Sequence, residues 1–210
     1  MLGCLIALGV GLGPAASVAA VIGFDDITTR SFAPVPGTYA GFSWSRDWMV
    51  ISDASYMGAF GNSYGSPSGN YAAFNDEPFV RVTATTDFSF VGAFFSGFAN
   101  FDLPAFFTAS AVRIQGFDDG VQVANLTSPT LPTDSYLWVA AGFEKVDELR
   151  LIGIGGGGAF FLMDNFTWGP AQVPAVPEPG VVALFGPILL GMAIHRWRRK
   201  ALVPPQADVA

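Results

Sequence analysis

The stretch AVRIQGFDDGVQV, residues 111–123, decides the fold. Val112 and Ile114 alternate with Arg113 and Gln115, a period of two that sends the two sets to opposite faces of a strand. Asp118-Asp119-Gly120 has turn chemistry, and Val121-Gln122-Val123 resumes the alternation beyond it. Two alternating runs joined through Asp-Gly predict a β-hairpin. Outward from the hairpin, 79–85 and 88–95 read as two strands, and 136–140, 148–152 and 159–168 as three more. Farther upstream, 41–44 and 48–51 flank a turn at 45–47. No segment of ordinary length carries a helical period. Eight or more short strands with frequent turns predict an all-β sandwich, a jelly roll first and a barrel as the alternative. The 20 Phe are the expected filling of its inner faces.

The charges divide the chain into unlike pieces. Residues 1–20 carry none; residues 21–175 carry 6 basic and 15 acidic groups, or −9; residues 176–210 carry 4 basic and 2 acidic groups, or +2. The net charge is −7. With 51% hydrophobic residues, a disordered chain is excluded. An acidic domain without clustered Lys and Arg argues against a nucleic-acid partner. A single Cys excludes a disulfide scaffold.

Both ends read as export signals. Residues 1–20 form an apolar run that ends in small residues, as a signal peptide does. Ser17-Val18-Ala19 and Val18-Ala19-Ala20 both suit signal peptidase. Residues 180–195 are apolar up to His195, and a basic cluster of Arg196, Arg198, Arg199 and Lys200 opens the tail 196–210. As a helix, the 15 uncharged residues 180–194 span roughly 22 Å, less than a hydrocarbon core of about 30 Å. Such a marginal span suits a temporary stop in the inner membrane, with the basic cluster on the cytoplasmic side. Before it, residues 169–179 hold four prolines, which make an extended linker that cannot be a central strand. The domain itself is expected over 21–168.

Pro177-Glu178-Pro179, the apolar run and the basic cluster together resemble the PEP-CTERM sorting signal of Gram-negative bacteria that make exopolysaccharide. The resemblance covers residues 176–200 and implies that an exosortase recognises the tail and cleaves near the Pro-Glu-Pro. The product would be a secreted surface or extracellular-matrix protein. The Phe-Asp-Asp at 24–26, the run Tyr39 to Trp44 and Met163-Asp164-Asn165-Phe166 also resemble the all-β domains of such proteins, themselves similar to carbohydrate-binding jelly rolls.

The inventory of reactive groups is short. The only His is His195 and the only Cys is Cys4, so residues 21–175 can form no Ser-His-Asp or Cys-His site. A Ser-Lys pair would need Lys145, the domain's one Lys. Gly153 to Gly158 matches G-x-G-x-x-G, but the residues that follow read as a strand and not as the helix that phosphate binding needs. The pairs Asp25-Asp26, Asp76-Glu77, Asp118-Asp119 and Asp147-Glu148 are sequential and point to opposite strand faces, so none is a hydrolytic dyad by itself.

No catalytic residue is therefore expected. Asp25 and Asp26 at the start of the domain, and Asp164 and Asn165 at its end, would gather hard oxygen ligands if the terminal strands meet; a structural Ca²⁺ is the expected occupant. Aromatic rings are the expected glycan contacts: Tyr39, Tyr56, Tyr71 and Trp138, and foremost Trp44, Trp48 and Tyr64. The expected partner is exopolysaccharide.

Overall fold

The computed structural model describes residues 19–59, 64–99 and 107–172. Residues 1–18 of the expected signal peptide 1–20, Pro177, Glu178 and Pro179, the sorting helix 180–195 and the basic cluster lie outside them. Among the described residues no helix is long and apolar enough to cross a membrane. The described chain is all-β, an antiparallel sheet that folds over on itself.

Two long strands, β7 (Phe79–Gly97) and β10 (Leu137–Ile154), organise the molecule. Phe79 to Thr83 pairs with Glu148 to Ile152, and Phe88 to Phe95 pairs with Leu137 to Val146. The register shifts three times, twice within the second block and once between the blocks. Bulges bend a strand without ending its ladder, so each strand serves both layers of a sandwich. The pairs of strands expected at 79–85 with 88–95, and at 136–140 with 148–152, are therefore single strands. The polar stretch Thr85 to Asp87 had the look of a break; it is the exposed outside of the bend.

In the first layer, β3 (Thr38–Tyr39) pairs with β4 (Phe42–Trp44), and β4 with the first half of β7. The last half of β10 then pairs with β8 (Ala111–Asp118), and β8 with β9 (Val121–Thr127). This last pair is the hairpin expected from 111–123. Its two-residue loop, Asp119 and Gly120, has φ of 49° and 77°.

In the second layer, β11 (Phe161–Pro170) pairs with the last half of β7 and with β6 (Tyr71–Asn75). Outside β6 lie β5 (Trp48–Ser52) and then β2 (Phe32–Pro34). The first strand, β1 (Ala20–Ile22), pairs with the end of β11, so the terminal strands meet. β11 reaches Pro170, two residues into the stretch read as linker.

The facing sides of the layers build one core. Val80, Val82, Val112, Ile114, Leu149 and Leu151 come from the first layer; Phe88, Phe90, Phe95, Phe161 and Phe166 come from the second. Phe42 meets Phe88, Phe166 and Trp168 edge-on, with ring centroids 4.9–5.4 Å apart. Such edge-to-face contacts add to plain burial.

The outer side of the second layer carries a smaller cluster. The helix α1 (Asp53–Gly58) starts at Ser52, whose hydroxyl accepts the Ser55 N–H, and it lays Tyr56 onto Ile51, Ala72, Phe98 and Leu162. Asp53 accepts the backbone N–H and hydroxyl of Ser66, which fastens the following segment over the same side.

Candidate functional site

The expected aromatic contacts separate by burial. Trp48 is fully buried and Trp44 is 4% exposed, so neither ring offers a face to a sugar. Both are core residues: their centroids lie 5.5 Å apart, and the indole N–H groups donate to the backbone carbonyls of Arg81 and Tyr39. The sequence suggested exposure because short strands among turn residues look peripheral, yet both rings point between the layers. Tyr64 is half-buried. Its ring meets Tyr56 and Tyr136 edge-on, and its hydroxyl links Tyr56 to Ser96. Burial raises the pKa of Tyr56, Tyr64 and Tyr136, so this cluster stays protonated.

Of the expected contacts, Tyr39 and Tyr71 are half-buried and Trp138 is exposed, at 38%. The register explains its position. Asp164, Phe94 and Trp138 are cross-strand partners on β11, β7 and β10. Their neighbours Met163, Phe95 and Val139 are core residues, so by alternation these three lie on the outer side of the layer, where the Ser68 segment covers Asp164. The indole leans over Gly92, where a Cβ would stand 3.0 Å from its Cζ2 and 2.3 Å from the Val139 carbonyl. Only glycine leaves that floor open. Phe94 supports the ring edge-on at 5.1 Å. Val91 and Val21, both exposed, extend the apolar surface along this side.

The expected oxygen ligands converge only in part. Ser68 is their meeting point. Its N–H donates to Asp164 Oδ2 at 2.9 Å, and its hydroxyl lies 3.1 Å from the same atom and 2.7 Å from Asn165 Oδ1. Asp25 accepts the Asn70 N–H nearby. A Cβ built on Gly23 would meet Ser68 Oγ, Asp25 Oδ2 and Asn165 Oδ1 at 3.1, 3.3 and 3.8 Å, so these three oxygens surround one small space. One carboxylate oxygen and two neutral oxygens are hard donors of the kind Ca²⁺ takes. Asp26 does not join them; its carboxylate accepts the Tyr39 hydroxyl at 2.5 Å. Asp164 is fully buried, and desolvation pushes its pKa up to about 7 against three opposing hydrogen bonds.

The other candidates have structural employment. Lys145 bridges Asp118 and Asp87 at 2.7 and 3.2 Å, and these bonds raise its pKa, so it stays a cation and not a base. Asp118, Asp119 and Asp147 lie close together, but Lys145 and the Asp119 N–H occupy two of the three carboxylates. The glycine-rich run begins at the end of β10 and continues into its connection to β11. Gly153 is required there because a Cβ would fall 1.9 Å from the Ala159 carbonyl. Asn75, which the sequence did not single out, holds the same place. Its amide donates to the carbonyls of Glu77 and Ala159 and accepts the Phe161 N–H. An isolated Asn at a strand end carries no sequence signal of this role.

No family model matches the chain, and no curated protein matches it in sequence. Solved structures do resemble it. The cleaved K2 adhesin domain of Lys-gingipain aligns at 8% identity and TM-score 0.46, over 72% of this chain and 99% of that one. An apo-form cyclase from Fischerella sp. aligns at 14% and 0.48, over 74% and 98%. The carbohydrate-binding module TmCBM61, in complex with β-1,4-galactotriose, aligns at 10% and 0.38, over 71% and 94%.

Proposed function

We propose that the chain is an exported, non-enzymatic polysaccharide-binding protein. Its mature part is the β-sandwich, of jelly-roll type, which an exosortase releases from the inner membrane to the cell surface or matrix. The observation that carries the binding reading is Trp138, an exposed indole beside Phe94 and over Gly92. A flat ring held this way stacks on a sugar face while its N–H remains for a hydroxyl. The absence of His and Cys from residues 21–175 supports the non-enzymatic part, since it removes the common nucleophilic and metal-hydrolytic devices.

Pull-down on insoluble and cell-derived polysaccharides tests this. Trp138→Ala is expected to weaken retention about tenfold, or ~1.4 kcal/mol, with little change in the melting midpoint. Release of reducing ends would replace the binding module by a glycoside hydrolase or lyase.

Signal peptidase would act after Ala19. Ala20 pairs with Trp168 in the sheet, and a cut after Ala19 leaves β1 whole. Sorting has its own test in mass spectrometry of the mature C-terminus. A chain ending near Pro177–Pro179 is expected; one still ending at Ala210 would refute cleavage. The cradle around Ser68 is proposed to hold a structural Ca²⁺ through Asp25, Asn165 and Ser68 Oγ, with Asp164 beneath.

A further inference from the structure

The outer side of the first layer concentrates positive charge in an acidic domain. Val80, Val82, Val112, Ile114, Leu149 and Leu151 point into the core. Their neighbours Arg81, Arg113 and Arg150 therefore share the opposite side. These are three of the six basic residues between 21 and 175. Arg81 and Arg150 are direct cross-strand partners, and Arg150 pairs on its other side with Gln115. Arg113 lies two residues along β8 from Gln115, opposite Ile152.

Like charges placed directly opposite destabilise a sheet, so this arrangement calls for relief. Arg150 is relieved: its Nε donates to Glu148, and its guanidinium lies 3.8 Å over the Phe117 ring. Arg81 has the exposed Phe79 ring at 5.9 Å. No carboxylate among the described residues pairs with Arg81 or Arg113. A shallow depression of about 250 Å³, lined by Ser43, Ser45 and Thr83 among others, opens beside Arg81.

We infer that this side of the sandwich binds the carboxylates of an acidic polysaccharide. The inference rests on the polysaccharide-binding reading and names a second surface and its ligand class. Guanidinium groups donate to carboxylates in a planar, two-bond geometry that Lys does not offer. The planar amides of Gln115 and Gln122, bonded to each other at 3.0 Å, lie beside them as partners for sugar hydroxyls. Phe79 supplies a ring for stacking. A nucleic acid needs a longer run of cations to track its regularly spaced phosphates, and three arginines beside neutral Gln amides do not supply one.

The test is binding of the secreted protein to polygalacturonate, to its methyl ester, to a neutral glucan and to duplex DNA. Polygalacturonate is expected to bind at least tenfold more tightly than its methyl ester, with the preference fading as salt rises. The pair Arg81→Gln and Arg113→Gln is expected to erase the preference, and each single change to reduce it should the pair melt early. Equal binding of acid and ester, an unchanged preference in the variants, or equal binding of DNA would overturn the inference. Retention on neutral glucan that Trp138→Ala abolishes, without preference for the acid, overturns this inference alone. No retention by any polymer overturns the preceding reading as well.

Discussion

Replacing Asn75 with Leu is expected to remove about 3–5 kcal/mol of stability and to lower the melting midpoint by roughly 10 °C or more. Asn75 is fully buried at the end of β6. Its side chain makes three bonds to backbone groups: it donates to the carbonyls of Glu77 and Ala159 at 2.8 and 3.2 Å, and accepts the Phe161 N–H at 2.6 Å. Leucine has similar bulk but leaves these groups without that partner. A buried backbone group left unsatisfied costs about 1–3 kcal/mol, and marginal domains hold only about 5–15 in total. The loss should reach beyond the site, because Ala159 sits at φ 43° against Gly153 and depends on this clamp. Asn125→Leu on the exposed strand β9 is the control, expected to change stability by less than about 0.5 kcal/mol. Equal melting of the two variants would refute the role of Asn75.

The second large effect is one of pH. Asp164 is pushed up to about 7 by burial, from an ordinary value of 3.8. The native state therefore holds a proton that the unfolded chain has released. The stabilisation is fully present below about pH 4 and is lost as pH rises through 7. A shift of about three units corresponds to roughly 4 kcal/mol at most, with Asp25 adding to it by repulsion. In EGTA the domain should therefore unfold more readily at pH 8 than at pH 5, and Asp164→Asn should flatten that slope. Ca²⁺ in the Ser68 cradle would reverse the trend, since a cation favours the ionised carboxylate. Its addition should raise the midpoint more at pH 8 than at pH 5. No bound metal and no calcium-dependent midpoint would exclude the ion while leaving the pH slope intact.

Both effects arise where distant segments meet. Asp164 touches Ser68 and Asn75 touches Phe161, across 96 and 86 residues of chain. Asp25, Asp164 and Asn165 lie near one another because the chain ends pair as β1 and β11. Asp26, its neighbour in sequence, escaped the cluster because adjacent residues diverge and Tyr39 offered a hydroxyl. The aromatic contacts were less legible. Trp44, Trp48 and Trp138 all sit in short alternating runs between polar turns, and nothing local distinguishes a ring between two layers from a ring outside them.

By itself the sequence determined what depends on neighbours along the chain and on inventory. The period of two and the Asp-Gly turn specify the hairpin at β8 and β9, and with it the all-β class. The missing His and Cys remove whole classes of chemistry from residues 21–175. Tertiary structure alone decided which strands continue through a bend and which face of each strand is covered. Alternation says that Arg81 and Val80 point in opposite directions; it does not say that Arg81 stands opposite Arg150. That pairing requires two strands nearly seventy residues apart to adopt one register, and register is set by burial of the common core.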